Sequence, residues 1–326
     1  MQWSFSQPET QASRDLKQSL TTLLESNEAL PDGQIGIAAL NINTGEKIAL
    51  NGDASFFMAS TYKVAIATQL LTLVDQKKIS LHQMITLKSR DFVPGSGILT
   101  KYFKDDQCSL SVLALLKLMM QESDNTATDI LLQLAGGPSA VTKRLQELKI
   151  TRMTVDRSTL EFTRDFFNIK LPPPEKQNYD VLMSLYLKGT PDLKKFLNDT
   201  RDNATPNAMV NLLETLYQGK ALSTESTTLL FSIMGKKTEE TGRLYYFLPG
   251  VKVVQKLGTG EQVVNDVGLL YLPEQHGVIA LAIFMKFVPS DHIVKERVTA
   301  LIAKTIYDYF IFQTTQNSQT MQTTTR

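Results

Sequence analysis

Residues 56–67 read Phe-Phe-Met-Ala-Ser-Thr-Tyr-Lys-Val-Ala-Ile-Ala, with Ser60 and Lys63 three residues apart between two apolar stretches. Apolar residues recur at helical spacing from Val64 to Val74, so the stretch predicts a buried helix that begins near Ser60. Taken alone, Ser60 could be a helix cap and Lys63 a solvated charge. The flanks favour another interpretation, because an unpaired lysine is costly in a buried helix. A partly desolvated lysine on the same helical face can accept the serine proton, which predicts a nucleophilic serine.

A second motif, Ser123-Asp124-Asn125, lies between two stretches, 110–121 and 124–135, whose patterns predict helices. By itself the triplet is explained as a capped helix start, with Ser123 or Asp124 as the cap. We interpret Asp124 as structural. Capping and chemistry are compatible here, since a cap also fixes the direction of the neighbouring side chains.

A third motif, Lys256-Leu257-Gly258-Thr259-Gly260, ends a strand-like run that starts at Val251. In isolation it is typical of a β-turn with an exposed lysine. Its glycines would also let a substrate lie close along the strand edge. A lysine and a hydroxyl at such an edge would bind a carboxylate.

The three motifs, S-x-x-K, S-D-N and a K-T-G-like triplet, occur in this order in the penicillin-recognising serine hydrolases. Over roughly residues 15–310 the chain resembles the class A β-lactamases of that group. The resemblance implies that Ser60 attacks the substrate carbonyl, Lys63 activates Ser60, and Ser123 protonates the leaving nitrogen. The remaining motif residues are implied to bind the substrate: Asn125, Lys256, Gly258 and Thr259.

The third motif departs from the family pattern, because Leu257 stands where a hydroxyl residue is usual. One donor to the substrate carboxylate is therefore missing. Thr259 lies two residues further on, on the same strand face, and is expected to supply that donor. The resemblance also implies an oxyanion hole formed by the backbone N–H groups of Ser60 and Thr259.

A second departure concerns the omega-type loop that carries the deacylating glutamate in this family. The loop is expected to begin near Arg157 and to end near Asp202, so that residues 157–202 form an enlarged segment. Thr159 occupies the position expected for the glutamate. Glu161 and Glu175 are the candidates for a displaced catalytic base, with Glu161 the leading one, although a solvated surface carboxylate is the more ordinary role for either residue.

The order of predicted elements is helix, two strands, many helices, three strands and a closing helix. This order predicts an α+β fold, with an antiparallel sheet flanked by terminal helices and an inserted all-helical domain. The resemblance implies an active site in the cleft between these two parts. The expected boundaries are a discontinuous α/β domain of residues 1–55 and 223–313, a helical domain of 56–222, and a disordered tail of 314–326.

Composition excludes several function classes. The 326 residues carry a net charge of +1, which gives no sign of a nucleic-acid surface. His82, His276 and His292 stand far apart, so we expect no metal site, and the implied chemistry needs no cofactor. The single cysteine, Cys108, cannot form an intramolecular disulfide.

The chain has no apolar run long enough to cross a membrane. It also has no signal-peptide pattern at residue 1, so a periplasmic or secreted location presumes a processed form. We expect a monomer that acts on a small-molecule β-lactam or on a D-Ala-terminated peptide.

The leading interpretation is a serine hydrolase of class A β-lactamase type that opens a β-lactam amide through a Ser60 acyl-enzyme. The alternative is a D-Ala-D-Ala peptidase-like or other serine acyl-hydrolase with slow deacylation, which the altered loop keeps open. A catalytically weak binding module that retains the fold is a third possibility. The presence of Ser60, Lys63, Ser123 and Asn125 argues against it.

Overall fold

The computed structural model describes residues 2–6, 10–26, 34–103, 108–235, 243–273, 276–286 and 292–324. The chain forms two compact units. The first comprises Met1–Thr61, Ala204–Gln218 and Gly235–Arg326, and the second comprises Tyr62–Asn203 and Gly219–Met234.

The described residues form the following strands and helices. The strands are β1 (Trp3–Phe5), β2 (Gln34–Asn41), β3 (Lys47–Leu50), β4 (Phe56–Phe57), β5 (Met84–Leu87), β6 (Cys108–Ser111), β7 (Asn203–Ala204), β8 (Val253–Gly260), β9 (Val263–Tyr271) and β10 (Val278–Lys286). The helices are α1 (Gln11–Glu25), α2 (Lys63–Asp75), α3 (Leu99–Tyr102), α4 (Val112–Gln121), α5 (Asn125–Leu134), α6 (Gly137–Glu147), α7 (Thr159–Phe166), α8 (Tyr179–Lys188), α9 (Leu193–Leu197), α10 (Pro206–Tyr217), α11 (Thr224–Met234), α12 (Arg243–Tyr246) and α13 (His292–Thr324).

The first unit is built on an antiparallel sheet of six strands among the described residues, in the order β1-β3-β2-β10-β9-β8. Strands β2, β9 and β10 are buried almost throughout, as expected for a sheet covered by helices. On one face, Ile37 and Ile283 pack with residues of α1 and α13. On the other face of β2, Gly36 lies against Phe56 and Pro206, where a side chain would clash.

The second unit is a helical bundle around α2, which packs against α4, α5, α6 and α11. Helix α2 is mostly apolar, and nine of its thirteen residues are buried, Lys63 among them. A helix of this kind is stable at the centre of a domain because every face finds an apolar neighbour.

The α+β fold predicted from the sequence is confirmed, and the packing of two helices shows to which unit each belongs. Helix α10 packs against β2 and β10, so residues 204–218 belong with the sheet. Helix α11 packs against α2 and α4, so residues 219–234 belong with the helical unit. The contacts of a helix with elements distant in the sequence decide to which unit the helix belongs. Local sequence patterns do not reveal those contacts.

The C-terminal helix α13 continues into the segment for which we expected a disordered tail, and residues 325 and 326 of that segment lie outside the described residues. Helix α13 runs from His292 to Thr324. Its first half packs into the core through Val298, Ile302 and Ile306. Once a helix is nucleated by such packing, each further residue adds a hydrogen bond at small cost, even in a Thr- and Gln-rich sequence.

Two properties of the described ranges concern membrane insertion and metal binding. None of the helices there is both long enough and apolar enough to cross a membrane. Within the same ranges, no three His, Cys, Asp or Glu side chains gather as metal ligands would.

Asn265 of β9 connects the sheet to the chain segment that precedes Ser60. Its side chain is fully buried, and Nδ2 donates to Phe57 O and Met58 O, both at 2.9 Å. Its Oδ1 accepts from Met285 N at 3.2 Å. One amide therefore satisfies three buried backbone groups and fixes the position of the turn that follows.

Replacing Asn265 with leucine should lower the free energy of unfolding by about 3 kcal/mol or more, since each orphaned buried group costs about 1–3 kcal/mol. Urea unfolding followed by circular dichroism measures the change. The matched control is Asn198→Leu at an exposed position, where a change within about 0.5 kcal/mol is expected. Equal effects of the two substitutions would contradict the anchoring role of Asn265.

Candidate active site

Ser60 lies in a tight helical turn, Ala59–Tyr62, that runs directly into α2 at Lys63. Ala59 has φ +46°, a left-handed conformation that a residue with a Cβ rarely adopts. Ser60 is partly exposed, whereas Met58 and Thr61 on either side are buried. The fold thus presents one hydroxyl at the surface of an otherwise buried turn.

Gly258 of β8 lies against this same turn. A Cβ at Gly258 would stand 2.7 Å from Met58 O and 3.0 Å from Thr61 Cγ2. The close approach explains the glycine in the third motif, because a side chain would push the strand away from the turn. Thr259 follows at an exposed position, so the strand edge continues past the Ser60 turn without a bulky side chain at Gly258.

In the second unit, the Lys63 side chain is fully buried and donates to oxygen atoms of the second motif. Its Nζ lies 2.7 Å from Ser123 O, 3.0 Å from Ser123 Oγ and 3.4 Å from Asn125 Oδ1. Three oxygen acceptors offset the cost of burying an ammonium group. The structure therefore brings together three of the predicted site residues, because Ser123 and Asn125 surround the buried Lys63.

Asp124 fixes the conformation of this motif. It caps α5 by accepting from Ala127 N at 2.9 Å, and its other oxygen accepts from Ile98 N at 2.8 Å and Leu99 N at 2.9 Å. Ser123 is held at φ +53°, another strained conformation for a residue with a side chain. The bonds of Asp124 have the structural character we expected of this residue.

Lys256 of β8 is buried beside Asp266 of β9 in the first unit. Burial lowers the pKa of Lys256 to about 7, while the Asp266 carboxylate raises it and the Arg243 guanidinium lowers it. Burial likewise raises the pKa of Asp266 to about 7. Lys256 Nζ donates to Leu257 O at 3.0 Å. A further anion near Lys256 would stabilise the charged lysine.

Arg243 of α12 joins this group, and the sequence analysis did not identify it. Its Nη2 lies 2.7 Å from Thr259 Oγ1 and 3.2 Å from Glu296 Oε1, and its Nη1 lies 2.8 Å from Asn265 O. The guanidinium is 2% exposed. An isolated arginine between predicted elements carries no spacing signal, so only the packing of α12 against β8 reveals it.

Glu161, the candidate base, is exposed and forms a capping box at the start of α7. Its Oε2 accepts from Ser158 N at 2.8 Å, while Ser158 Oγ accepts from Glu161 N at 3.1 Å. These contacts direct the carboxylate toward the backbone of its own helix. The pattern S-x-x-E over residues 158–161 is a known capping signal, and it accounts for Glu161 without catalysis.

Charged side chains join the two ends of the segment 157–202. Arg157 is buried and contacts three carboxylates, at 2.6 Å to Asp202, 2.8 Å to Asp199 and 3.3 Å to Asp165. Burial opposes ionisation of Asp199, but hydrogen bonds from Arg201 and the charge of Arg157 lower its pKa to about 2. The two ends of the segment are thereby held together.

Between its ends, the segment has an aromatic core of its own. Phe166 packs edge-to-face on Phe167 and Phe196, with ring centroids 4.9 and 5.1 Å apart, and Phe167 packs on Tyr186 at 4.9 Å. The segment 157–202 is therefore a packed element that contains helices α7 to α9, and it is not an extended loop.

Comparisons with known proteins agree on one family. A family model described as the beta-lactamase enzyme family matches residues 15–310. Beta-lactamase VEB-1 of Pseudomonas aeruginosa is 26% identical over 302 residues, which covers 90% of this chain and 91% of that protein. The crystal structure of a beta-lactamase from Chitinophaga pinensis has a TM-score of 0.73 at 25% identity and covers 90% of this chain and 98% of that one. An ancestral class A beta-lactamase (GNCA) has a TM-score of 0.73 at 28% identity, with 90% and 99% covered.

Replacing Arg157 with alanine should destabilise the protein by about 3–5 kcal/mol, because the buried Asp202 carboxylate loses its cation. Asp199 and Asp165 keep Arg201 as a partner, so the cost falls mainly on Asp202. Arg164→Ala is the matched control, since Arg164 is 39% exposed and contacts Asp165; its effect should stay within about 1 kcal/mol. Urea unfolding measures both, and similar values would refute the role of Arg157.

Proposed function

The chain belongs to the beta-lactamase enzyme family, and from this premise we propose that it is a serine hydrolase that opens a β-lactam amide through an acyl-enzyme at Ser60. The observation that carries the proposal is the buried Lys63 ammonium, one helical turn after Ser60, at 3.0 Å from Ser123 Oγ. A lysine in that position can exchange protons with hydroxyl groups. The chemistry is acyl transfer to serine followed by hydrolysis.

In the proposed acylation step, the Lys63 ammonium first gives one proton to solvent. Ser60 Oγ then attacks the amide carbonyl, and its proton passes to the neutral Lys63 amine. The bond between the carbonyl carbon and the leaving nitrogen then breaks. Ser123, which is hydrogen-bonded to Lys63 Nζ, gives its proton to the leaving nitrogen and takes one from Lys63. The protons balance, since the one lost by Ser60 replaces the one given to nitrogen.

Charge that develops on the carbonyl oxygen would be stabilised by the backbone N–H groups of Ser60 and Thr259. The close approach of Gly258 to the Ser60 turn supports this assignment. Asn125, whose Oδ1 lies 3.4 Å from Lys63 Nζ, is proposed to contact the substrate amide.

Lys256 and Thr259 are proposed to hold the substrate carboxylate. Lys256 is buried with a lowered pKa, so a bound carboxylate would restore the charged form that burial disfavours. Thr259 is supported by Arg243, which donates to its hydroxyl oxygen at 2.7 Å. The Thr259 hydroxyl proton remains available for the substrate, which compensates for Leu257.

The second candidate is a D-Ala-peptidase-like or other serine acyl-hydrolase that releases its acyl group slowly. The observation that favours it is the capping box of Glu161, which uses the candidate base for another contact. In either case the partner is a small molecule or a peptide end that carries a carboxylate. The proposed location, periplasmic or secreted, rests on the family resemblance alone.

Incubation with a chromogenic cephalosporin should give steady colour development that disappears in Ser60→Ala. The serine is expected to be essential because no other step forms the acyl bond. Intact-mass spectra should show a transient adduct in the unaltered protein. A stable adduct without turnover would favour the slow-release alternative, and the absence of both turnover and adduct would refute both candidates.

Thr259→Val should raise KM for a carboxylate-bearing β-lactam by about tenfold or more, since a hydrogen bond to a charged group is worth about 1.5–3 kcal/mol. The acylation rate at saturation should change less, because Ser60, Lys63 and Ser123 are untouched. Steady-state kinetics with the acid and with its methyl ester provide the measurement. An equal rise of KM for acid and ester would rule out carboxylate recognition by the hydroxyl.

A further inference from the structure

We propose that the segment 157–202 carries a binding site for a small monocarboxylate with an apolar body, in a cavity between the end of α7, α8 and α9. The site contains no residue of the three sequence motifs, and binding there does not depend on Ser60. The inference therefore goes beyond the proposed hydrolase function. It assigns a use to the helices that lie between the two joined ends of the segment.

The cavity has a volume of about 530 Å³. Volumes of roughly 300–1,000 Å³ are usual for sites that bind small molecules. One wall is formed by residues 167–170, directly after α7, and the other is formed by Leu185 of α8 and by residues 188–193. All of these residues belong to the segment 157–202, so a single packed segment forms the whole site.

Backbone bonding and close packing hold the two walls in place. Asp192 N donates to Phe166 O at 2.8 Å, which ties the connection between α8 and α9 to the end of α7. Gly189 lies so close to the first wall that a Cβ there would stand 2.7 Å from Phe167 Cβ. The Phe167 ring also packs on Tyr186, with centroids 4.9 Å apart. The cavity is thus formed before a ligand binds, which lowers the entropic cost of binding.

Apolar side chains from both walls face the cavity and define the body of the ligand. They are Phe167, Ile169, Leu185, Pro191 and Leu193. Each of them keeps part of its surface exposed. A ligand with an aromatic or aliphatic body would remove this apolar surface from water, which favours binding. The lining therefore selects a ligand that is mostly apolar.

The charged side chains of the lining define the head group of the ligand. Lys170 and Lys188 are exposed, and among the residues that the structure describes neither of them forms an ion pair. Asp192, the third charged residue, uses Oδ1 to accept from Lys195 N at 2.9 Å as the cap of α9. Two positive charges and one negative charge leave a net charge of +1, which matches a monoanion. A carboxylate offers two acceptor oxygens, one for each ammonium group.

Titration of the isotopically labelled full chain with naphthoate and with the neutral naphthamide, followed by amide NMR spectra, tests the site. The unaltered protein should bind the acid about tenfold more tightly than the amide, because only the acid carries the charge that the lysines recognise. The signals of residues 167–170 and 188–190 should shift. Lys170→Met and Lys188→Met should each weaken binding of the acid about fivefold and leave binding of the amide within about twofold. In the double variant the two ligands should bind equally.

Two control variants separate this site from other cations of the protein. Lys176→Met changes an exposed lysine of the same segment that does not line the cavity, and it should leave both affinities unchanged. Lys256→Met removes the cation proposed to hold the substrate carboxylate, and naphthoate should still shift the signals of residues 167–170. Loss of binding in Lys256→Met but not in Lys170→Met would place the acid at the proposed active site and overturn the inference. Thermal unfolding shows whether each variant is folded.

The remaining outcomes are equally decisive. No binding of naphthoate at millimolar concentration, or equal affinities for acid and amide in the unaltered protein, would refute the site. Leu187 is exposed beside Lys188, so vesicles of phosphatidylglycerol are tested as well. Binding to these vesicles without binding of free naphthoate would assign the surface to anionic lipid and overturn the inference. Ser60→Ala should bind naphthoate as the unaltered protein does, whatever the result of the hydrolysis assay.

Discussion

The buried ammonium of Lys63 is the constraint on which the helical unit depends. A cation with no exposed surface is tolerated only where oxygen atoms surround it, and here they come from Ser123 and Asn125. The second motif must therefore adopt one conformation, with Ser123 in the left-handed region and Asp124 as its anchor. The strain at Ser123 is stable because the lysine, the cap and the 97–99 loop all require the same geometry.

The sheet unit also contains buried charged side chains, but here both signs of charge lie together. Lys256, Asp266 and Arg243 are all buried; burial lowers the pKa of Lys256 and raises the pKa of Asp266, and the charges of the neighbouring side chains modify both shifts. The result is an electropositive strand edge whose lysine gains from an added carboxylate. Gly258 and Asn265 set the distance between that edge and the Ser60 turn, one by lacking a side chain and the other by bonding to the backbone.

The enlarged segment 157–202 explains why sequence reasoning had difficulty with hydrolysis of the acyl-enzyme. Glu161 was an attractive base because it is the first carboxylate after Arg157, yet its contacts are those of a helix cap. Asp129 lies thirty residues before Thr159 and meets it only because α5 and α7 pack together. Whether a carboxylate serves as a cap or a base depends on which atoms surround it, and linear distance from a motif does not decide this.

The sequence by itself determined the family, the α+β order of elements and the three motifs, because hydrophobic period and short catalytic spacings are local properties. It also located helix α2 and the helices on either side of Ser123 to within a few residues. Only the tertiary structure placed Arg243 on Thr259, moved α10 to the sheet unit, and joined Asp129 and Tyr62 to Thr159. These contacts link residues far apart in the chain, and their energies come from packing and desolvation, which exist only once the elements have assembled.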